Sequence, residues 1–169
     1  MNVASSLAVG WILYATIWLK LLAVYCTCLF IEVEDYIEAP MKTLQIRTQK
    51  KDEIVDITDT VEAYMQRVKD ESGICMLFVA HTTCAITTAD LDPGTDLDFL
   101  DALRNILPDL NYRHPHDPEH TPDHILSSII GPSLVIPYTN RRLLLGIWQR
   151  IVLVELDGPR QRSVQISCF

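Results

Sequence analysis

GICMLFVAHTTCAITTAD, residues 73–90, contains the two runs that decide the fold. Residues 74–80 are apolar without interruption and have the length of a strand. Residues 85–88 form a second, shorter run rich in β-formers. A short continuous apolar run between turn signals predicts a strand covered on both faces, so both runs are expected at the centre of a sheet.

Towards the N-terminus, residues 43–48 alternate apolar and polar through Leu44 and Ile46, and residues 54–57 alternate again. This predicts two antiparallel strands joined by a charged turn over 50–53. Thr58 or Asp59 caps an expected helix with Val61, Tyr64, Met65 and Val68 at helical spacing, which Gly73 stops. Towards the C-terminus, Asp92-Pro93-Gly94 is a turn. Leu97, Leu100, Leu103, Ile106 and Leu107 then predict a helix whose apolar stripe belongs to the core and which Pro108 ends. Residues 108–121 are a polar loop. Pro122 opens a short helix to Ile130, closed by Gly131 and Pro132. Strands are expected at 133–138, 143–148, 151–156 and 162–168, with turns at 139–142 and 157–159. The expected class is α+β: one compact domain over 41–169, mainly antiparallel β-sheet with packed helices.

Residues 1–40 differ in kind. From Leu7 to Ile31 the only charge is Lys20, and the run is long enough for a transmembrane helix. A mid-span lysine costs about 2.5–3.5 kcal/mol on the insertion scale, which the surrounding aliphatic residues offset. No basic residue precedes the run and no small-residue cleavage site follows it, so a secretory signal fits poorly. Two readings stand level: a membrane anchor through 7–31, or a segment appended before a natural start at Met41. A buried hydrophobic helix is a weaker third. Acidic residues at 32, 34, 35 and 38 followed by basic ones from Lys42 favour a cytoplasmic domain after the anchor.

The formal charge of -8, with 22 acidic against 14 basic residues and no basic cluster, argues against nucleic acid as a partner. Cysteines at 26, 28, 75, 84 and 168 show no repeated spacing and imply no disulfide framework. Cys75 and Cys84 fall in strand-like runs and read as buried free thiols in a reduced, intracellular domain.

All five histidines lie between positions 81 and 124. Neutral imidazole is available near neutral pH both as acid/base and as metal ligand. Loop histidines His114, His116 and His120 beside Asp117, Glu119 and Asp123 have the donor types to bind a divalent ion, although an isolated histidine is more often solvated or structurally bonded. His81 ends an apolar strand and projects from a rigid edge. His120 and His124 share a face only if the helix starts before Pro122, which favours His124. Asp98 reads as a dipole-favoured acid in a first helical turn or as a metal-facing carboxylate. Trp148-Gln149 is strand packing or a pocket lining. No H-E-x-x-H, paired C-x-x-C or Gly-rich phosphate loop occurs.

HTTCAITTAD (81–90), DPGTDLDFL (92–100), NYRH (111–114), PDHILSSIIGPSLVIP (122–137) and LLLGIWQ (143–149) together resemble the YjbQ-like family along its whole length. The resemblance implies an α+β homotrimer with shared histidines in a cleft near a subunit boundary. It also implies secondary thiamine-phosphate synthase activity, within thiamine biosynthesis: joining an aminopyrimidine diphosphate to a thiazole phosphate and releasing pyrophosphate. The partner is then a small phosphorylated molecule. His81, His114 and His124 match family histidines and are the expected metal ligands for a divalent ion and the expected catalytic residues. Asp98, which matches a further characteristic position, and Asp90, which stands where the family often has Glu, are expected catalytic residues as well. Thr82, Thr83, Ser127, Trp148 and Gln149 are the expected substrate-binding residues. The competing expectations are a metal- or anion-binding trimer without catalysis and a metal-dependent hydrolase.

Overall fold

The computed structural model describes residues 41–169. Its elements, in order, are β1 (Lys42–Arg47), β2 (Glu53–Asp56), α1 (Thr58–Met65), β3 (Ser72–Val79), β4 (Cys84–Ala89), α2 (Thr95–Ile106), a 3₁₀ turn (Pro118–His120), α3 (Thr121–Ile130), β5 (Ser133–Thr139), β6 (Arg142–Leu143), β7 (Arg150–Glu155) and β8 (Gln161–Cys168). The strands make two antiparallel sheets, ordered β1-β8-β3-β5-β6 and β2-β7-β4. The expected α+β class, mainly antiparallel sheet with packed helices, is what forms.

Strand periodicity explains the layers. In β7, Ile151 and Leu153 point into a core shared with Cys75, Leu77, Val79, Val164 and Ile166 of the larger sheet, closed at one side by Val61 and Met65 of α1. Val152 and Val154 point the other way, into a second core with Leu103 of α2 and Leu126 of α3. One strand buried on both faces thus joins two apolar layers, which is why 151–154 reads as unbroken hydrophobe.

β3 is central, pairing with β5 and β8 on either side. Among the described residues only one of its faces is well covered: Ile74 is 40% exposed, and Val135 of β5, which pairs with Met76, is 57% exposed.

Four local expectations differ. The first helix, expected to be capped by Thr58 or Asp59, starts at Thr58 behind Ile57 without a side-chain cap. The helix expected to run to Gly73 ends at Met65, after which Arg67 and Val68 donate to the carbonyls of Tyr64 and Met65 in a tighter turn. The strand expected over 143–148 stops at Leu143, because Gln149 folds back: its side chain accepts from the Gly146 amide at 2.8 Å and its own amide donates to the Gly146 carbonyl. The apolar stripe of α2 is not all core, since Leu103 is buried while Leu97 and Ile106 are 58% and 62% exposed.

Among the described residues no helix is long and apolar enough to cross a membrane. The longest, α2, has 12 residues and rises roughly 18 Å, against a hydrocarbon core of about 30 Å. The transmembrane-helix expectation is corrected accordingly for this part of the chain. The run at 7–31 on which it was placed lies outside the described residues, as do Cys26 and Cys28.

Candidate functional site

The connection 80–83 carries the chain from the larger sheet to the smaller one, and α3 holds it in place. Ser127, buried in α3, donates to the Cys84 carbonyl at 2.7 Å. The amide of Val79 donates to the Pro132 carbonyl and that of Ile86 to the Gly131 carbonyl. Gly131, at φ +107, is the left-handed residue that turns α3 back towards β5.

His81, His114 and His124 line one cleft of about 500 Å³, with Thr82, Thr121, Ser127, Ser128 and Pro132. A second hollow of about 380 Å³ shares His81, Thr82 and His124 and continues past His120, Asp157, Arg160 and Arg162. The two make one groove with an apolar arm and a charged arm. The rings of His114 and His124 stack, centroids 5.4 Å apart and planes at 18°. His116 packs edge-on against His114 at 6.0 Å and is itself exposed.

Hydrogen bonds assign the ring protons. Nδ1 of His124 lies 3.0 Å from the Thr82 carbonyl, an acceptor only, so Nδ1 carries the proton and Nε2 keeps its lone pair. Nδ1 of His114 accepts from the Asp117 amide at 3.2 Å, which leaves its proton on Nε2. Nε2 of His81 accepts from the Ser163 amide at 3.0 Å, which leaves its proton on Nδ1. With a single proton on each ring, the trio offers two N–H donors and one open base. Burial pushes the His81 pKa down, and the Arg162 guanidinium adds to that against the smaller opposing pull of Glu155. His81 is thus held neutral.

Beneath the groove lies a buried ion pair, Arg162 with Glu155, whose side chains are 4% and 0% exposed. Nε of Arg162 donates to Glu155 at 2.7 Å, and the same guanidinium donates to the Thr83 hydroxyl at 3.0 Å. Glu155 also accepts from the Thr48 hydroxyl and the amides of Leu156 and Asp157. Burial alone would raise its pKa, but the bonds from Arg162, Asp157 and Thr48 outweigh that and hold it below the usual range.

The other expected residues are elsewhere or otherwise engaged. Thr83 is buried and serves Arg162, and Ser127 serves Cys84. Asp90 lies just past the far end of β4, whose six residues carry the chain roughly 20 Å from the 80–83 connection, and lines a separate hollow of about 260 Å³ with Trp148 and Arg150. Gln149 is tied to Gly146 and reaches the Thr88 hydroxyl at 3.4 Å. Asp98 is exposed in the first turn of α2. Nor do the three cleft histidines close around a common ion. Among the described residues, the group of His, Cys, Asp and Glu whose ligand atoms gather within 4.8 Å is His120, Asp123 and Asp157.

A family profile described as UPF0047 protein YjbQ-like matches residues 42–169, nearly all of the described fold. The chain belongs to the YjbQ-like family. UPF0047 protein YugU of Bacillus subtilis is 39% identical over 128 residues, covering 75% of this chain and 97% of that protein. A UPF0047 protein of Mycobacterium tuberculosis is 42% identical over 118 residues, covering 68% and 86%. A YbjQ-like protein of unknown function from Sulfolobus solfataricus superposes with a TM-score of 0.71 at 32% identity, covering 76% of this chain and 94% of that one. A YjbQ/UPF0047 protein from Clostridium acetobutylicum gives 0.69 at 31%, covering 76% and 99%. These relatives carry the YjbQ or UPF0047 designation without a reaction, which corrects the thiamine-biosynthesis expectation: membership does not bring that pathway with it.

Sequence reasoning ranked His120 below His124 and did not single out Asp157, Arg160 or Arg162. For Arg162 a signal exists: it has the strand parity of Val164 and Ile166, so it points to the core face. Asp157 read only as a turn residue.

Proposed function

We propose that this YjbQ-like domain binds a small phosphorylated molecule in the histidine groove and acts on it by acid–base chemistry, with Nε2 of His124 as the base. The observation that carries this reading is the opposed protonation of the three rings. The two N–H donors, Nδ1 of His81 and Nε2 of His114, suit anionic oxygens, while His124 Nε2 suits removal of a proton from a water or hydroxyl nucleophile. The apolar arm beside Pro132 suits the organic part of such a molecule. The test uses inorganic phosphate and p-nitrophenyl phosphate with the purified chain. Saturable phosphate binding and turnover, both reduced in His124→Gln, support the reading. Binding without turnover makes the domain an anion-binding module, and neither binding nor turnover removes the reading altogether.

The homotrimer is part of the proposal. β3 and its neighbour β5 carry apolar residues on both faces, yet Ile74 and Val135 stand exposed on the outer one, and a second copy of the chain would cover them. A cytoplasmic location is likewise proposed, supported by the free thiols Cys75, Cys84 and Cys168.

A further inference from the structure

On the charged arm of the groove, one ligand atom each from His120, Asp123 and Asp157 lies within 4.8 Å of the others. We infer that these three residues hold a first-row divalent cation of the Zn²⁺ or Mn²⁺ class, at a site separate from the His81–His114–His124 cleft.

Three observations converge on it. First, Asp123 is 1% exposed, and its Oδ2 is buried without any hydrogen-bond partner. A buried carboxylate oxygen left bare is costly unless something positive meets it. Second, each carboxylate is already held by one oxygen. Arg104 takes Oδ1 of Asp123, and Arg160 takes Oδ2 of Asp157 at 2.6 Å, so Asp123 Oδ2 and Asp157 Oδ1 are oriented and available. Fixing a ligating carboxylate through its other oxygen is how metal sites are positioned. Third, His120 Nε2 stands 3.4 Å from Asp157 Oδ1 and 3.8 Å from Asp117 Oδ2, too far for good hydrogen bonds but near enough to share an ion.

Charge points the same way. Among the described residues, the carboxylates of Asp52, Asp117, Asp123, Asp157 and Glu155 meet the guanidiniums of Arg104, Arg160 and Arg162, an excess of two negative charges. One divalent ion balances it. One imidazole with two carboxylates suits Zn²⁺ or Mn²⁺ better than Mg²⁺ or Ca²⁺, which prefer oxygen alone. The positive N-terminal end of α3 opposes a cation here, but it counts for less than two oriented carboxylates. The site stands whether or not a phosphorylated molecule binds beside it.

The experiment is equilibrium dialysis of the full chain against Zn²⁺, Mn²⁺ and Mg²⁺ separately, with bound metal counted by mass spectrometry. One Zn²⁺ or Mn²⁺ per chain is expected, with weak Mg²⁺ uptake. His120→Ala and Asp157→Asn should each weaken binding about tenfold or more, while His124→Ala keeps it. Asp157→Asn is nearly isosteric and decides the matter if His120→Ala fails to fold. No stoichiometric ion in the wild-type chain, full binding in Asp157→Asn, or loss in His124→Ala equal to that in His120→Ala would overturn the assignment. Because phosphate binding is read on His124 and metal on His120, either proposal can fail alone.

Discussion

Nδ1 of His124 meets the main-chain carbonyl of Thr82 at 3.0 Å, across 42 positions of sequence. The acceptor is backbone, so no side-chain substitution at position 82 removes it, and the ring is held by the same connection that Ser127 anchors through the Cys84 carbonyl. One short helix thereby sets both the path of the connection and the tautomer of the histidine above it. The proposed base is thus part of the domain's scaffold.

Replacing His124 by Ala should cost phosphate turnover about 10²-fold or more, the usual scale for losing a proton-transfer group. His116→Ala should leave turnover near wild type, because His116 is exposed and held only by its edge against His114. Thermal melts of both should stay close to wild type. Full turnover in His124→Ala would misplace the base.

Arg162→Met should destabilise the fold by about 3–5 kcal/mol, since it leaves Glu155 buried and unpaired. Urea denaturation with an unchanged slope and a lower midpoint is the expected readout. A loss below about 1 kcal/mol would mean that the hydrogen bonds from Thr48 and the two amides suffice for Glu155 without its partner.

Stability should fall on acidification in two stages. The His81 pKa is lowered in the fold, so below about 6.5 the unfolded chain takes a proton that the folded one resists, and folding weakens as pH drops through that value. Glu155 is also lowered, so its contribution is complete above about 4.3 and is lost as pH falls through its still lower folded value. Urea melts between pH 8 and pH 4 should show His81→Gln losing less stability than wild type below about 6.5. Parallel curves would exclude His81 as the source of the first stage.

Residues 41–169 produced alone should fold cooperatively, because every described strand and helix, both apolar layers and the whole family match fall within them. A sigmoidal thermal transition by circular dichroism is expected. A broad, non-cooperative loss of signal would show that the preceding residues take part in the core.

Val135→Asp should shift the mass in solution from trimer towards monomer, as measured by light scattering at micromolar concentration. The substitution puts a charge on the exposed apolar face of the larger sheet and leaves the inner face, with Ile136, untouched. A wild-type chain that is monomeric at that concentration, or an unchanged trimer in Val135→Asp, would count against that face.

Much of this was legible in one dimension. Period-two alternation and the apolar runs at 74–80 and 151–156 placed the strands, and Pro122 with Gly131 bounded α3 to within one residue. The misses have local causes. Residues 144–149 have strand composition, but the Gln149 side chain satisfies the Gly146 amide and closes a turn that propensity does not foresee. The stripe on α2 has helical spacing, yet spacing says which residues share a face and not whether anything covers it, and Leu97 and Ile106 remain exposed.

The sequence by itself determined the class of fold, through periodicity, and the family, through motifs contiguous in the chain; the resemblance to that family, not spacing, pointed to three histidines in one cleft. Tertiary structure alone decided which nitrogen of each ring carries the proton, that Asp90 and Trp148 lie away from the histidines, and that Asp157 joins His120 and Asp123. Those outcomes depend on atoms brought together from the 80–83 connection, α3, the turn before β8 and β8 itself, up to 82 positions apart in the case of His81 and Ser163. Hydrogen-bond direction and charge compensation act over a few ångströms of space, and nothing in residue spacing encodes them.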